Sequence, residues 1–225
     1  MVTWTTSPTA DTTMPTPTDE AVLILQSWLS PGYPVGAFAY SHGLEQAVAD
    51  GRVADAATLE PWLQDVIELG AGRGDAILLG AAFDDWQGAD AAARAFAAGA
   101  GRLKETLDQG RAFAATVGAV EGGAQDPVTY PVAVGRAARS ADLPRTLTAA
   151  MYLVAMAGAL VSAAQRLAPI GQTDAQAILA RLRPVCGDVA RNVSSVGLSG
   201  LSGAAFLSDI ASQRHEAKRV KVFRT

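Results

Sequence analysis

The sequence predicts an all-α fold, arranged as a single bundle-like domain of about eight to ten helices. Apolar residues recur at steps of three and four in several segments, which is the spacing of one face of an α-helix. No segment alternates apolar and polar residues over more than a few positions between hairpin-type turns, so no sheet is predicted. With 225 residues, 49% of them hydrophobic, the chain can bury a substantial core. The absence of a fixed repeat, and of a long linker after residue 18, favours one domain over two small ones.

Residues 1 to 18 form a threonine- and proline-rich segment that we expect to be disordered. Its eight threonines and three prolines leave too little apolar surface to offset the entropy of ordering. The segment has neither a basic start nor an apolar centre, so we do not interpret it as a secretory signal and expect a cytoplasmic protein. Cys186 is the only cysteine, which excludes an intrachain disulfide.

A serine, a histidine and a glutamate lie close together at residues 41 to 45, in the string SHGLE. A nucleophilic serine usually sits in a Gly-x-Ser-x-Gly elbow after a strand, and neither feature is present here. Neighbouring residues on a helix point about 100° apart, so Ser41 and His42 would diverge rather than pair. We therefore interpret the string as a helix start without catalytic residues, capped by Ser41 and with Glu45 in the first turn.

The chain offers few metal ligands. His42, His215 and Cys186 are its only histidine and cysteine residues, and they do not repeat at the spacing of a zinc or nickel site. The sequence therefore predicts no cofactor and no intrachain metal site. A site that takes one histidine from each copy of a dimer stays open.

Four segments carry helical apolar stripes. The stripes are Leu59, Trp62, Leu63, Val66 and Ile67; Ala76, Leu79, Phe83 and Trp86; Leu103, Leu107, Gly110, Ala114 and Val117; and Leu147, Met151, Val154, Gly158, Val161 and Gln165. The string TDAQ at residues 173 to 176 has the spacing of a capping box and predicts a further helix start. We expect that helix to bend or stop at Pro184.

One run, residues 149 to 164, has sixteen residues without a charge. A membrane-spanning helix needs about 20 residues of stronger hydrophobicity. This run is shorter, rich in alanine and glycine, and closed by Gln165 and Arg166. A buried helix is therefore the preferred interpretation.

Charge is unevenly distributed along the chain. The net charge of −4 gives no chain-wide attraction for nucleic acid. Residues 213 to 225 carry five basic residues and one acidic residue, so this tail is basic while the preceding domain, residues 19 to 212, is acidic. Since the tail has few apolar anchors, we expect it to lack a fixed conformation alone and to dock on a partner.

Three blocks resemble the urease accessory protein UreF family. They are SPGYPVGAFAYSHGLE at 30 to 45, YLVAMAGALVSAAQRLAPIGQTDAQAIL at 152 to 179, and ASQRHEAKRVKVFRT at 211 to 225. The first is similar to the family's S-P-x-x-P-V-G-x-F-x-Y-S-x-G-L-E, the second to S-A-x-x-R-L-x-P-L-G-Q-T-D-x-Q, and the third to a closing R-H-E with a terminal F-R-S/T. In order and spacing, the resemblance covers about residues 20 to 225.

The resemblance implies an all-α homodimer without enzymatic activity of its own. Family members bridge UreD (also called UreH) and the GTPase UreG, so that GTP hydrolysis delivers nickel to apo-urease. The resemblance implies neither a nucleic-acid nor a membrane partner. The partner-binding residues that it implies are Pro34, Gly36, Tyr40, Ser41, Gly43, Glu45, Arg166, Gln172, His215, Glu216, Phe223 and Arg224.

Two points stay open at this stage. Arg166, beside a helix end, is expected to satisfy carbonyls or a carboxylate of its own fold, with partner contact as the alternative. The alternative function is a helical enzyme or small-ligand-binding protein with a pocket around Glu45, His42 and Arg166. The tail also departs from the family after Glu216, because basic residues replace polar and aromatic ones.

Overall fold

A computed structural model describes residues 18 to 123 and 125 to 224. In these ranges the backbone forms ten α-helices and two short 3-10 turns, and no β-strand. The helices are α1 (Asp19–Trp28), α2 (Leu44–Ala49), α3 (Ala56–Glu68), α4 (Ala71–Ala81), α5 (Trp86–Phe96), α6 (Ala100–Val120), α7 (Tyr130–Ser140), α8 (Arg145–Leu167), α9 (Gln172–Val193) and α10 (Phe206–Glu216). The 3-10 turns are Ala37–Ala39 and Leu198–Gly200. The predicted all-α fold is confirmed. The disorder expected for residues 1 to 18 concerns residues outside the described ranges, except Thr18, whose hydroxyl caps α1 by accepting from Ala21 N at 3.2 Å.

Helix α4 lies at the centre of the domain. Its residues 74 to 80 are all buried, and it contacts α3, α5, α7, α8 and α9. The long helices α8 and α9 pack along each other beside it, while α6 and α7 close the other side. A single hydrophobic core runs through these helices, as one domain requires.

Helix α9 differs from the prediction at its start and at its proline. The helix begins at Gln172 with Gly171 as its N-cap residue, and no side chain caps it. The predicted capping box at residues 173 to 176 is therefore wrong, because Thr173 already lies inside the first turn. The helix also continues through Pro184 to Val193 instead of stopping there. Its packing against α8 and α3 compensates for the hydrogen bond that the proline removes.

Helix α8 is long and apolar enough to span a membrane, judged by length and composition alone. Half of its most apolar window is buried inside the domain, where it packs on α9, α4 and α2. This packing agrees with the buried helix that the sequence analysis preferred. Its other face, with Val154, Gly158 and Ser162, is exposed or half-exposed.

Candidate functional site

The SHGLE string forms a tight turn between the first 3-10 turn and α2. His42 and Gly43 both have left-handed backbone conformations, with φ of 51° and 77°. Glycine is required at 43, since a Cβ atom there would lie 2.5 Å from the backbone nitrogen of Ser212 on α10. The N-cap position is Gly43 rather than Ser41, but Ser41 Oγ still accepts the backbone N–H of Glu45 at 3.3 Å.

The arrangement around the turn does not form a nucleophile and base. Ser41 is fully buried, and its hydroxyl faces the start of α2. His42 instead turns to α6, where its Nε2 lies 2.7 Å from Glu105 Oε1. The interpretation of the string as a helix start therefore agrees with the geometry, with Glu45 in the first turn of α2 as expected.

Glu45 binds the C-terminal end of the chain. Its carboxylate accepts hydrogen bonds from His215 Nε2 at 3.0 Å and from Lys218 Nζ at 2.8 Å. It also accepts the backbone N–H groups of Val222 at 3.1 Å and Phe223 at 2.9 Å. We call this group of five residues the tail anchor.

The Glu45 carboxylate at the centre of the tail anchor is buried, and its hydrogen bonds favour the ionised form. Glu45 and His215 are 4% and 1% exposed. Burial raises the pKa of Glu45, but the hydrogen bonds from Lys218, His215, Phe223 and Val222 outweigh it and lower the pKa to about 2. The Glu45 carboxylate is therefore charged at neutral pH.

Arg166 and Phe223 stack on each other beside the tail anchor. The Phe223 ring is 3% exposed and lies under the Arg166 guanidinium, 4.4 Å from the ring centroid. Arg166 also donates to the carbonyl oxygens of Phe38 at 3.0 Å and Ser162 at 3.3 Å. These are the contacts with its own fold that the sequence analysis preferred for Arg166.

An open cleft of about 450 Å³ lies next to this stack. Its wall includes Pro34, Gly36, Tyr40, Asp108 and Arg224. The Tyr40 hydroxyl donates to Asp108 Oδ2 at 3.1 Å, and the Arg224 backbone N–H donates to the carbonyl of residue 39 at 2.8 Å. Burial raises the pKa of Tyr40, and a hydrogen bond from the Arg224 side chain offsets part of that rise. The last described residue of the chain thus forms part of the cleft.

The tail corrects one expectation. Residues 213 to 216 complete α10, and the following residues fold back over α2 and the first 3-10 turn. The expectation that the tail lacks a conformation of its own is therefore wrong for residues 213 to 224. Phe223 supplies the missing apolar anchor, while Glu45 pairs with Lys218 and accepts the backbone N–H groups of Val222 and Phe223.

Two of the remaining residues implied by the resemblance lie in different places. Glu216 caps α6, since its Oε1 accepts the backbone N–H of Gly101 at 2.7 Å. Gln172, at the start of α9, is exposed and accepts from Gln165 at 2.5 Å. Glu216 lies close to the tail anchor, because it follows His215 on α10, whereas Gln172 lies at the start of α9.

A buried charge network was missed in the sequence analysis. Arg102 donates to Asp75 at 2.6 Å and to Glu105 at 3.2 Å, and the Tyr152 hydroxyl donates to Asp75 at 2.8 Å. Burial, followed by the charge of Asp75, raises the pKa of Tyr152 well above its usual range. The signal that could have revealed the network is a polar stripe on the buried face of α6, formed by Glu105, Thr106 and Gln109.

In the part of the chain that the structure describes, neither the cleft nor the cavity under α10 joins Glu45, His42 and Arg166, as the alternative function required. His42 lines a cavity of about 90 Å³ under α10, together with Asp75, Arg102 and Asp209. Glu45 and Arg166 line neither that cavity nor the cleft. Within the described ranges, no group of three or more His, Cys, Asp or Glu residues is arranged to hold a metal ion.

Comparison with known proteins gives the family. A family model described as UreF matches residues 53–183, more than half of the chain. The chain belongs to the UreF family. The urease accessory protein UreF of Roseobacter denitrificans is 49% identical over 92% of this chain and 95% of its own length. The proteins of the same name from Cereibacter sphaeroides and Ruegeria pomeroyi are 47% and 44% identical, over 91% and 94% of this chain and 99% and 100% of their own lengths. Membership of the UreF family supports a role in urease maturation and, since these relatives are named accessory proteins, a role without catalysis.

Proposed function

We propose that this chain is a non-enzymatic cytoplasmic urease accessory protein that bridges UreD and the GTPase UreG while nickel is inserted into apo-urease. The observation that carries the proposal is the docked tail, which brings Phe223 and Arg224 beside the SHGLE turn. Two blocks that resemble the family thus meet beside one exposed cleft, where Glu45 and Phe223, 178 residues apart in the chain, are in contact. Family membership supports the urease role.

The cleft is the part of this region that remains accessible to a partner. Ser41, Glu45, His215 and Phe223 are buried, so they support the surface from below rather than contact a partner. Pro34 is exposed, and Arg224 is exposed at its rim. Arg224 offers a partner a side chain of a type that is enriched at binding hot spots, while Tyr40 is buried and forms the inner wall of the cleft. We assign UreG to this cleft and propose that the contact modulates its GTP hydrolysis.

The tail also presents a second surface. Val220 and Val222 are 82% and 69% exposed although the tail is docked, and Arg219 lies beside them. An apolar patch of this kind, next to basic groups, favours a partner with a complementary acidic rim. We assign this surface to UreD.

A homodimer completes the proposal. The outward face of α8 carries Val154 and the small residues Gly158 and Ser162, which allow close approach of a second helix. Leu23 on α1 and Phe38, both near α8, are 70% and 72% exposed. Together they supply an unpaired apolar face that two copies could bury around a two-fold axis.

The experiment that tests the function is reconstitution from purified proteins. Mixing the chain with UreD and UreG should give one complex in size-exclusion chromatography with light scattering, with two copies of the chain. The GTP hydrolysis rate of UreG should change when the chain is added. A chain that stays monomeric and leaves both partners free at micromolar concentration would contradict the proposal.

A further inference from the structure

His42 adopts a left-handed backbone conformation, which glycine takes freely and asparagine tolerates, but which costs most other residues free energy. Its φ is 51°, and the strain persists only if the surroundings hold it. The ring contacts Glu105 through Nε2 at 2.7 Å, while Nδ1 is buried without a hydrogen-bond partner among the residues that the structure describes. The contact with Glu105 is therefore the polar contact that fixes the ring.

The contact between His42 and Glu105 matters more for the position of His42 than for Glu105, which has other hydrogen-bond partners. Glu105 is fully buried, and its Oε1 also accepts from Arg102 at 3.2 Å and from Gln109 at 3.1 Å. Arg102 in turn pairs with Asp75 on α4. If the imidazole were removed, Glu105 would still accept hydrogen bonds from Arg102 and Gln109. The buried charge network would therefore remain, and only the turn at His42 would lose a stabilising contact.

The turn connects directly to the tail anchor. Gly43 packs against the backbone of Ser212 on α10, the helix that precedes the tail. A shift of the turn would therefore push Gly43 against α10. Ser41 binds the backbone N–H of Glu45, which is the residue that accepts the two tail N–H groups. Only Gly43 and Leu44 therefore separate His42 in the chain from Glu45, whose carboxylate holds the tail.

We propose that His42 and Glu105 are positioning residues for the tail. Their contact holds the left-handed turn, the turn sets the position of the Glu45 carboxylate, and the carboxylate docks residues 218 to 224 on the domain. That the docked tail binds a partner rests on the proposed function. The docking of the tail on its own domain needs no partner, so an experiment can reject the partner role without rejecting the role of His42, and the reverse.

The test compares His42→Gln with His42→Gly. Glutamine keeps an amide donor that can reach Glu105, but it is strained at positive φ; glycine adopts the turn freely, but it has no donor. The readout is the native-state rate of tryptic cleavage after Lys218, Arg219 and Lys221, followed by intact mass, since cleavage reports the population in which the tail is released. We expect His42→Gly to be cleaved about tenfold faster than wild type, as for loss of a hydrogen bond to a charged group, and His42→Gln to stay within about threefold.

The opposite order would overturn the proposal, because it would mean that backbone conformation alone positions the tail. Equal cleavage of both variants and wild type would overturn it as well. Arg145→Gln is the control, since it removes a 2.7 Å ion pair with Asp84 away from the tail anchor, and its tail should be cleaved at the wild-type rate. If His42→Gly does not fold, judged by circular dichroism, His42→Asn replaces it: asparagine tolerates the turn, is too short to reach as far as the imidazole, and should also release the tail. Faster cleavage of His42→Gly with unchanged UreD and UreG binding would keep this inference and reject the partner role of the tail.

Discussion

The Glu45→Gln substitution removes the charge of the tail anchor while it leaves the shape of the side chain almost unchanged. The amide of glutamine keeps one acceptor oxygen, but its NH₂ group is a donor and cannot accept a hydrogen bond from Lys218 or from the backbone N–H groups of Val222 and Phe223. His215 and the Phe223 N–H are buried, so a lost hydrogen bond is not replaced by water. The variant should therefore be less stable, and its tail should be released.

The size of the effect follows from the pKa of Glu45. The difference between the ordinary value of 4.5 and a pKa of about 2 corresponds to about 3 kcal/mol of stabilisation in the ionised form. Because the pKa is lowered on folding, this stabilisation is present above pH 4.5 and is lost as the pH falls towards 2. At pH 7 the loss in Glu45→Gln should lower the melting temperature by about 6 to 12 °C for a chain of this size.

The assay is thermal and urea unfolding of wild type and variant between pH 3 and pH 7. The stability difference should be largest at pH 7 and should narrow below pH 4.5. Glu60→Gln is the matched control: it breaks an exposed pair with Arg181 and should change stability by less than about 1 kcal/mol. If Glu45→Gln is no less stable than Glu60→Gln, or if its deficit does not depend on pH, the reasoning about the tail anchor is refuted.

Three other substitutions or reagents test separate parts of the structure. Arg166→Ala should lose about 1 kcal/mol or more, because Phe223 loses its stacked cation and two carbonyls lose a donor; an unchanged melting curve with lost UreG binding would assign Arg166 to the partner instead. Arg102→Met should lose about 3 to 5 kcal/mol in urea unfolding, since it leaves two buried carboxylates without their cation, and a loss below about 1 kcal/mol would contradict the network. Cys186 should react with iodoacetamide only on unfolding, because burial shields the thiol and raises its pKa to about 11; equal rates in the folded and urea-unfolded protein would contradict its placement.

Apolar stripes located most of the helices in the sequence, but not always their ends or their buried faces. The stripe around Leu59 and Leu63 became the buried face of α3. The stripe that begins at Leu147 located α8, but its residues Val154 and Gly158 lie on the outward face of that helix. The stripe from Ala76 to Trp86 is interrupted between α4 and α5. Helix α6 was located correctly but its buried face was not. Glu105 and Gln109 occupy that face, and a polar side chain at a core position is recognisable only once its partners are known.

The capping box in α9 failed for a local reason. Residues 173 to 176 have the right residue types, but the helix starts one residue earlier, at Gln172, and uses a glycine N-cap. A cap position depends on where packing lets the first turn begin, and short patterns do not contain that information.

The site could be predicted in composition but not in arrangement. The resemblance named Glu45, His215 and Phe223, and they do come together, although they are buried supports rather than exposed contacts. Their roles depend on pairings over more than 160 residues of chain. Composition indicated a tail that lacks a fixed conformation until it docks on a partner, because charge counts do not show that one buried carboxylate accepts hydrogen bonds from four groups of the tail.

The proposed function, in which this chain supports the loading of urease with nickel without being a catalyst itself, makes one direct prediction. The most direct measurement is the nickel content per urease active site, by mass spectrometry, when urease is coproduced with UreD and UreG in the presence or absence of this chain. We expect nickel-loaded, active urease with the chain and apo-urease without it, while the purified chain alone does not hydrolyse urea. Equal nickel content in the two preparations would contradict the account.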